Sequence, residues 1–228
     1  MACRTVVAAH SPTIRNAPYL DTALLVGALR DEPVPDGADV LDVGTGSGAL
    51  AIEAVRRGTY VTAVDMSWRA VCTARLNARP ARLRRIRIRI RIRHGNLFAP
   101  VRGQSFDLIL ANPPYVPTPD TGRAPHGAAR SWDGGRDGRL VLDRICREAP
   151  TLLRPGGVLL VVHSSLSCPD RTLTHLRGAG LKASVTRRRM IPFGPVLRSR
   201  EGWLRERGLL SAPDPREELV VVRAELPV

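Results

Sequence analysis

A glycine-rich segment lies where a short apolar run gives way to a helical pattern. Asp42-Val-Gly44-Thr-Gly46-Ser-Gly48 begins at the end of strand-like residues 38–43 and precedes helical residues 49–57. Glycines at alternate positions let the backbone turn tightly and approach a ligand, and the helix start offers free N–H groups. Asp65 ends the next strand-like run, where a carboxylate can accept both hydroxyls of a ribose. The pattern predicts a nucleoside-cofactor site; the alternative is an ordinary strand-to-helix turn with Asp65 as a helix N-cap.

The spacing and charge of this loop distinguish between nucleoside cofactors. A dinucleotide fingerprint has Gly-x-Gly-x-x-Gly, whereas this loop has Gly-x-Gly-x-Gly. Asp42 stands two residues before the first glycine, where its negative charge would repel a pyrophosphate. The same charge suits the sulfonium and amino groups of S-adenosylmethionine. The loop therefore favours S-adenosylmethionine over NAD.

A rigid polar turn follows a second apolar run. Residues 106–111 lead into Asn112-Pro-Pro-Tyr115, and the two prolines remove two N–H donors and stiffen the turn. The side-chain carbonyl of Asn112 and the backbone carbonyl of Pro113 can both accept from one planar NH2 group, and Tyr115 can supply a flat wall beside it. These residues predict a site that holds an amide or amino nitrogen toward an incoming methyl group. A rigid loop with an Asn cap is the alternative.

Strand-like and helix-like segments alternate along the chain, which predicts an α/β fold with a mainly parallel sheet. The predicted strands cover residues 38–43, 60–64, 85–93, 106–111, 158–163, 182–190 and 219–225. The predicted helices cover residues 49–57, 67–77, 140–153 and 169–177. The stretch 116–139 is too long for a plain connection, and such stretches are often functional. Within it, Trp132–Gly138 could lie over a substrate and contact it through Arg136 or Asp137, with a Gly-Asp turn as the alternative.

The charge of the chain is high and uneven. Its 228 residues carry a formal net charge of +14, and Lys182 is the single lysine among 35 basic residues. Isoleucine and arginine alternate over Arg85–Arg93, which predicts an edge strand with one solvated basic face. That face could contact RNA or the ribosome. A GC-rich coding sequence, which favours arginine over lysine, is the alternative source of the charge. The arginines at 187–189 and the helix-like residues 196–207 could dock a protein or RNA partner, with a merely solvated surface as the alternative.

The composition also excludes several classes of protein. No apolar run approaches the roughly 18 residues that a membrane span needs, and the first ten residues lack the apolar core of a secretory signal. We therefore expect a soluble, cytoplasmic protein with no membrane contact. The four cysteines and five histidines show no ligand spacing, which predicts that there is no metal site.

Taken together, these motifs resemble class I S-adenosylmethionine-dependent methyltransferases, and among them the HemK/PrmC family of protein-glutamine N5-methyltransferases. The matching stretches follow the family's order and are Leu41–Leu50, Ala63–Ser67, Gly95–Phe98, Phe106–Pro117, Trp132–Gly138 and Leu153–Gly157. Pro18-Tyr-Leu-Asp-Thr22 resembles the entry segment of the short branch, which lacks an N-terminal helical domain. The resemblance implies a Rossmann-like fold with a seven-stranded, mostly parallel sheet and helices on both faces. Residues 38–228 would form the methyltransferase domain, and residues 1–37 would contribute to the cofactor site.

The resemblance also implies a role for each site residue. Thr22 and Asp42 would hold the methionine end of the cofactor, Asp65 would bind its ribose, and Asn96 and Leu97 would border its adenine. The family usually has Asp at the position of Asn96, where Asn keeps an acceptor oxygen but loses the charge. The full set implied to bind the cofactor is Thr22, Asp42, Gly44, Gly46, Gly48, Asp65, Asn96, Leu97 and Asn112. The residues implied to act on the methyl acceptor are Asn112, Pro113 and Tyr115.

The predicted function is therefore transfer of a methyl group from S-adenosylmethionine to a planar NH2 nitrogen. The resemblance implies that this nitrogen is the glutamine amide in the Gly-Gly-Gln loop of a translation release factor, and that a small activating subunit can be required. The alternative is an adenine-N6 methyltransferase of RNA or DNA, because adenine also offers a planar NH2 group. A binding module that keeps the fold without activity is a third hypothesis.

Overall fold

One sheet organises the described part of the chain. The computed structural model describes residues 18–79, 89–119, 127–210 and 215–228. The strands are β1 (Asp39–Val43), β2 (Tyr60–Asp65), β3 (Ile90–His94), β4 (Phe106–Ala111), β5 (Leu153–Ser164), β6 (Lys182–Pro192) and β7 (Arg216–Glu225). Their order across the sheet is β3-β2-β1-β4-β5-β7-β6. The five strands from β3 to β5 pair in parallel, and β7 is antiparallel to both of its neighbours. The predicted seven-stranded, mostly parallel sheet is confirmed.

The helices of the described residues connect these strands and are α1 (Pro18–Asp31), α2 (Ala49–Arg56), α3 (Trp68–Asn77), α4 (Leu142–Glu148), α5 (Pro169–Gly178), α6 (Pro195–Ser199) and α7 (Glu201–Glu206). Helices α2 and α3 follow β1 and β2, and α4 and α5 follow β4 and β5. No described helix is long and apolar enough to cross a membrane.

The sheet buries apolar side chains on both faces, as a parallel sheet covered by helices must. One cluster joins Leu25 of α1 and Ala54 of α2 to Val40 of β1. The other joins Ile145 of α4 and Leu176 of α5 to the opposite side of the same sheet. Alternation along β1 therefore places its successive side chains in different layers. The prediction of helices on both faces is confirmed.

Two predicted elements differ from the structure around the end of α4. The helix expected over residues 140–153 covers Leu142–Glu148 and continues as a short 3-10 turn over Ala149–Leu152, because Pro150 has no N–H for an α-helical hydrogen bond. Strand β5 then begins at Leu153, five residues before the predicted start, and its pairing with β4 shifts register between Phe106 and Leu108.

The structure also adds a helix, and it describes only part of one predicted strand. Residues 18–31 were not predicted as a helix, yet they form α1 and contribute buried leucines to the core. The strand predicted over 85–93 is described as Ile90–His94, and residues 80–88 lie outside the described residues. Ile90 and Ile92 are partly buried against the core, and the strand is the edge of the sheet, as predicted.

Candidate functional site

The predicted site residues meet at one edge of the sheet. Parallel pairing sets Val43 beside Val64, Asp65 beside His94, and Val43 beside Ala111 on the other side. The segments that follow these strand ends therefore lie next to one another. In α/β folds, ligands bind at the carboxyl ends of the strands, where the connections from two neighbouring strands run to opposite faces of the sheet. In this sheet the two neighbouring strands are β1 and β4.

The glycine loop presents bare backbone toward open space. Gly44 and Gly46 have φ of +74° and +54°, values that favour glycine. A Cβ at Gly44 would meet no atom within 4 Å, and one at Gly46 would meet only the Gly44 carbonyl oxygen at 4.0 Å. Gly48 differs, since a Cβ there would lie 3.1 Å from the Ala74 Cβ of α3. Gly44 and Gly46 therefore form an open cradle, and Gly48 lets α2 begin against α3.

Asp42 lies beneath this cradle and holds its shape. The side chain is fully buried, and its Oδ2 accepts from the Thr45 hydroxyl at 2.6 Å and from the Ala51 N–H at 3.1 Å. Its other oxygen, Oδ1, is buried and has no partner. Burial raises the pKa of the Asp42 carboxyl to about 6. A buried acceptor without a donor is costly, so this oxygen fits a positively charged ligand group.

Asp65 ties the end of β2 to the same loop. Its Oδ2 accepts from the Gly46 N–H at 2.9 Å, and its Oδ1 accepts from the Ser67 N–H at 2.8 Å. Each carboxylate oxygen keeps a further lone pair for a hydroxyl donor. The N-cap of α3 is Ser67, whose hydroxyl accepts from the Ala70 N–H, and the alternative assignment of that cap to Asp65 is wrong.

The segment after β3 carries backbone strain beside the loop. Leu97 has φ of +47°, a conformation that a residue with a Cβ adopts at a cost, and such strain is concentrated at functional sites. The exposed Asn96 accepts through Oδ1 from Arg144 at 3.3 Å. Met66, directly after Asp65, keeps 51% of its surface exposed. Leu97 and Met66 thus offer apolar surface near the carboxyl ends of β2 and β3, where the adenine was predicted.

The amide of Asn112 is oriented by helix α1. Its Nδ2 donates to the Thr22 hydroxyl at 3.2 Å, and its side chain also hydrogen-bonds the Asp21 carboxyl. The NH2 end of the amide therefore points toward α1. Within the described residues no donor contacts the Asn112 carbonyl oxygen, so that oxygen remains an acceptor for a ligand NH2 group.

Tyr115 closes the turn from inside the protein. Its ring is buried, and its hydroxyl donates to Asp21 Oδ2 at 3.1 Å. Burial, followed by the charges of Asp21 and Glu217, raises the pKa of Tyr115 well above its usual value, so the phenol stays neutral. Pro113 is also buried, and the direction of its carbonyl stays a prediction. Asp21 thus contacts Thr22, Asn112 and Tyr115 together, a role that the sequence analysis did not assign to it.

A second buried carboxyl lies behind the turn. Glu217 of β7 is 4% exposed, and its Oε2 has no partner. The Ser164 hydroxyl hydrogen-bonds Glu217, and burial raises the pKa of Glu217 to about 7, with a smaller contribution from Asp21. His163 is also buried, and burial lowers its pKa to about 4, so it is neutral.

The segment Trp132–Gly138 braces the Asn-Pro-Pro-Tyr turn. The Val116 N–H donates to the Trp132 carbonyl at 2.8 Å, and the Gly134 N–H donates to the Val116 carbonyl at 2.9 Å. A Cβ at Gly138 would lie 2.3 Å from the Tyr115 carbonyl oxygen, so only glycine fits there. The segment is therefore packed behind the turn. It has a structural role in supporting the turn, and its predicted contact with a substrate stays a separate prediction.

Arg136 and Asp137 were the two residues of this segment predicted to contact a substrate. Asp137 accepts from Arg171 at 3.1 Å and from the Arg139 N–H at 3.1 Å, so its carboxylate is engaged within the protein. Arg139 itself is 2% exposed, and its guanidinium donates to the Ser167 carbonyl and to Asp143. The sequence pattern gave no signal for this buried arginine.

Two of the three described arginines at and beside β3 contact other groups of the chain. Arg89 pairs with Asp36 at 3.1 Å and Arg93 donates to the Pro100 carbonyl at 2.6 Å. The remaining predicted arginines of this face up to residue 88, Arg85 among them, lie outside the described residues. In the described ranges no group of three or more His, Cys, Asp or Glu side chains is placed to hold a metal ion.

Comparison with known proteins places these features in a family. The family model "Methyltransferase small domain" matches residues 18–124. The chain is 34% identical over 181 residues to a putative protein N5-glutamine methyltransferase of Methanocaldococcus jannaschii, covering 79% of this chain and 87% of that one. It is 38% identical over 130 residues to the release factor glutamine methyltransferase of Gloeobacter violaceus, covering 54% of this chain and 44% of that one. The chain thus spans less than half the length of this bacterial relative.

Solved structures share the fold. The E. cuniculi Mtq2–Trm112 complex, responsible for methylation of the eRF1 translation termination factor, matches with a TM-score of 0.61 and 22% identity, covering 92% of this chain and 98% of that one. The T. thermophilus 16S rRNA N2 G1207 methyltransferase, solved with AdoMet and guanosine, matches with a TM-score of 0.55 and 20% identity, covering 96% of this chain and 44% of that one. At these identities the likeness concerns the fold alone.

Proposed function

The chain belongs to the protein N5-glutamine methyltransferases, which use S-adenosylmethionine, and from that premise we propose that it methylates the side-chain amide of a glutamine in a translation release factor. The substrate proposal draws on the names of its relatives, which include release factor glutamine methyltransferases. The observation that carries it at the site is the orientation of Asn112, whose carbonyl oxygen is left to accept from a planar NH2 group.

In our proposal, hydrogen-bond acceptors at fixed positions hold the nitrogen that receives the methyl group. The Asn112 carbonyl oxygen, and in our proposal the Pro113 carbonyl, accept the two N–H groups of the glutamine amide, while the Tyr115 ring limits its position. An amide nitrogen is a poor nucleophile because its lone pair is delocalised, so holding the lone pair toward the methyl carbon supplies much of the rate. As the nitrogen forms its bond to the methyl carbon, the bond from that carbon to the sulfonium sulfur would break with its electron pair left on sulfur as a neutral thioether, and the nitrogen would release one proton to water.

The cofactor would be held by the cradle described above. Gly44 and Gly46 leave room for it, the unpartnered Asp42 Oδ1 would accept from its ammonium group, and Asp65 would bind the ribose hydroxyls. Asn96 and Leu97 would border the adenine, Thr22 would lie near the methionine end, and Gly48 would support the loop. When bound, S-adenosylmethionine supplies an electrophilic methyl group on a sulfonium. The residues present fit this group.

The identity of the molecule that receives the methyl group is tested with labelled S-adenosylmethionine. The protein is incubated in parallel with a release factor, with the same factor carrying Ala for Gln in its Gly-Gly-Gln loop, with total RNA and with DNA. Label in the unaltered release factor and its loss in the Gln→Ala factor support the proposal. Label in RNA or DNA but in neither factor would overturn it in favour of an adenine-N6 methyltransferase.

The proposal extends to partners and location. A small activating subunit would be expected if the chain behaves like the Mtq2 protein of the Mtq2–Trm112 complex. A release factor as substrate would place the protein in the cytoplasm. Contact of RNA or the ribosome with the Arg85–Arg93 face stays a prediction, and the ion pair of Arg89 with Asp36 offsets one of the positive charges of that face. Residues 1–37 would contribute to the cofactor site through Thr22, although residues 1–17 lie outside the described residues, and residues 38–228 would form the methyltransferase domain.

A further inference from the structure

A helical segment between β6 and β7 packs beside the Asn-Pro-Pro-Tyr turn. It contains α6 and α7, and its buried apolar core is formed by Phe193, Leu197, Leu204 and Leu210. Val116, the residue directly after Tyr115, packs against this core. Neither the cofactor cradle nor the proposed acceptor site uses the segment, although it lies against the chain that leaves the turn.

Arg200, at the junction of α6 and α7, connects this segment to the residues after the turn. Its Nη1 donates to the Pro117 carbonyl at 3.0 Å and to the Thr118 hydroxyl at 2.8 Å. Its Nη2 donates to Asp133 Oδ1 at 2.6 Å, and the Thr118 hydroxyl donates to the same oxygen at 2.7 Å. The planar guanidinium thus joins three groups from two separate stretches of chain in one fixed geometry.

The position of Asp133 extends this contact to the backbone that supports the turn. Asp133 forms a parallel bridge with Val116, and the residues on either side of Asp133 hydrogen-bond to the Val116 backbone. Pro117 has no N–H, so its carbonyl is the one backbone group through which a hydrogen bond can hold it. Arg200 therefore fixes both sides of this bridge within two residues of Tyr115.

The ion pair between Arg200 and Asp133 is largely shielded from water. The two side chains are 17% and 10% exposed. Such a pair adds little net stability relative to apolar residues of similar size, because both charges lose their hydration. Its charge-assisted hydrogen bonds are nevertheless short and directional, so they determine where the bonded groups lie. The pair therefore suits a role in positioning better than a role in stability.

We propose that Arg200 and Asp133 are positioning residues that hold the Asn112–Tyr115 turn in the orientation that methyl transfer requires. Neither side chain is required to touch the cofactor or the methyl acceptor. Displacement of a reacting group by about 1 Å can lower a rate about 100-fold, so a small movement of the turn would be sufficient. The inference rests on the proposed function for the rate by which it is read.

The first test compares turnover in Arg200→Met, Arg200→Lys and Arg154→Met. Arg200→Met removes the guanidinium, so the turnover rate should fall about 10-fold, while KM and the affinity for S-adenosylmethionine stay within about 3-fold of the wild type. Lysine keeps the charge but lacks the planar fork, so Arg200→Lys should still lose about 3-fold.

Arg154→Met is the matched control. Arg154 also donates to two carboxylates, those of Asp39 and Asp107, at 2.6 Å each. These contacts lie at the amino ends of β1, β4 and β5, away from the turn. The control variant should therefore keep a turnover rate within about 2-fold of the wild type. Urea unfolding of all three variants measures whether stability accounts for any difference between them.

Hydrogen exchange tests the same contact without a methyl acceptor. The bridge protects the amide protons of Val116 and Gly134, which should exchange at least about 10-fold faster in Arg200→Met and at the wild-type rate in Arg154→Met. Turnover is measured on whichever acceptor the wild type labels. Label in RNA or DNA would therefore overturn the release-factor proposal without affecting this comparison.

Four results would overturn the inference. They are wild-type turnover in Arg200→Met, wild-type turnover in Arg200→Lys, equal losses of turnover in Arg200→Met and Arg154→Met, and unchanged exchange of the two amide protons in Arg200→Met. Equal losses in the two methionine variants would show that turnover follows stability alone. If Arg200→Met does not fold, Arg200→Lys is compared with Arg154→Lys in the same measurements, and an equal turnover rate in those two variants would overturn the inference.

Discussion

The Asn112 amide donates to the Thr22 hydroxyl across 3.2 Å, although 90 residues separate them in the chain. A helix that precedes the sheet thus sets the direction of an amide in the turn after β4. The amide oxygen can serve a ligand because the amide nitrogen is already engaged. The orientation of the acceptor site is therefore a property of α1 as much as of the turn.

Replacing Thr22 tests this dependence. Thr22→Val keeps the shape of the side chain but removes the acceptor, so we expect the turnover rate to fall about 10-fold because Asn112 can rotate. Thr22→Ser keeps a hydroxyl and serves as the matched control, with a turnover rate within about 3-fold of the wild type. A large loss in Thr22→Ser together with a wild-type rate in Thr22→Val would show that the methyl group of Thr22, and not its hydroxyl, matters.

Removing the Asn112 side chain separates transfer from cofactor binding. Asn112→Ala should reduce methyl transfer at least about 100-fold, because the acceptor amide loses a fixed hydrogen bond in the transition state. Calorimetric titration with S-adenosylmethionine should give an affinity close to that of the wild type. A large loss of affinity would mean that Asn112 acts mainly on the cofactor.

The cradle is tested by a pair of glycines with the same backbone strain. Gly44 and Gly103 have φ of +74° and +76°, and a Cβ at either would meet no atom within 4 Å. Alanine at either position should cost about 1–2 kcal/mol in unfolding free energy. Only Gly44→Ala should also weaken S-adenosylmethionine binding, because its methyl group enters the space meant for the cofactor. Equal affinities in the two variants would place the cofactor elsewhere.

We expect the ionisation of Asp42 to make the affinity for the cofactor depend on pH. Its pKa of about 6 means that the carboxyl is protonated below that pH and ionised above it. An ammonium group needs the ionised form, so the affinity for S-adenosylmethionine should fall as pH drops from about 7 to about 5. Asp42→Asn should bind more weakly at pH 7 and show a flatter dependence. A wild-type affinity that is constant over this range would contradict the assignment.

Glu217 should also shape stability against pH. Its pKa is raised from 4.5 to about 7 on folding, so the folded state holds a proton that the unfolded state releases between these values. Its contribution to stability is fully present below pH ~4.5 and is lost as pH rises to about 7. Relative to the wild type, Glu217→Gln should gain roughly 3 kcal/mol across that window. Urea unfolding at several pH values measures the difference, and a constant difference would contradict it.

The motifs were predictable because they are local. Gly44 and Gly46 adopt the strained turn that the spacing indicates, and Asn112 ends a strand beside them. Helix α1 was missed because Leu20, Leu24, Leu25, Val26 and Leu29 leave no clear polar face in the pattern. Its burial between the sheet and α2 comes from tertiary packing.

The burial of two carboxyl groups could not be predicted from the sequence, for a different reason. Asp21 and Glu217 lie near opposite ends of the chain, and each becomes buried only when the sheet has formed. Each is an ordinary acidic residue in its own segment, and the Arg139 guanidinium likewise finds its partners in α4 and at the start of α5. Spacing within a motif cannot indicate such contacts.

The bracing of Tyr115 by Gly138 has a consequence for mutational tolerance. Position 138 does no chemistry, yet any side chain there would collide with the Tyr115 carbonyl oxygen and with Ser167 Oγ. In a selection that scores every substitution for activity, Gly138 should be as intolerant as Asn112. The two would differ only in protein level, since Gly138 variants should be depleted as folded protein while Asn112 variants accumulate without turnover.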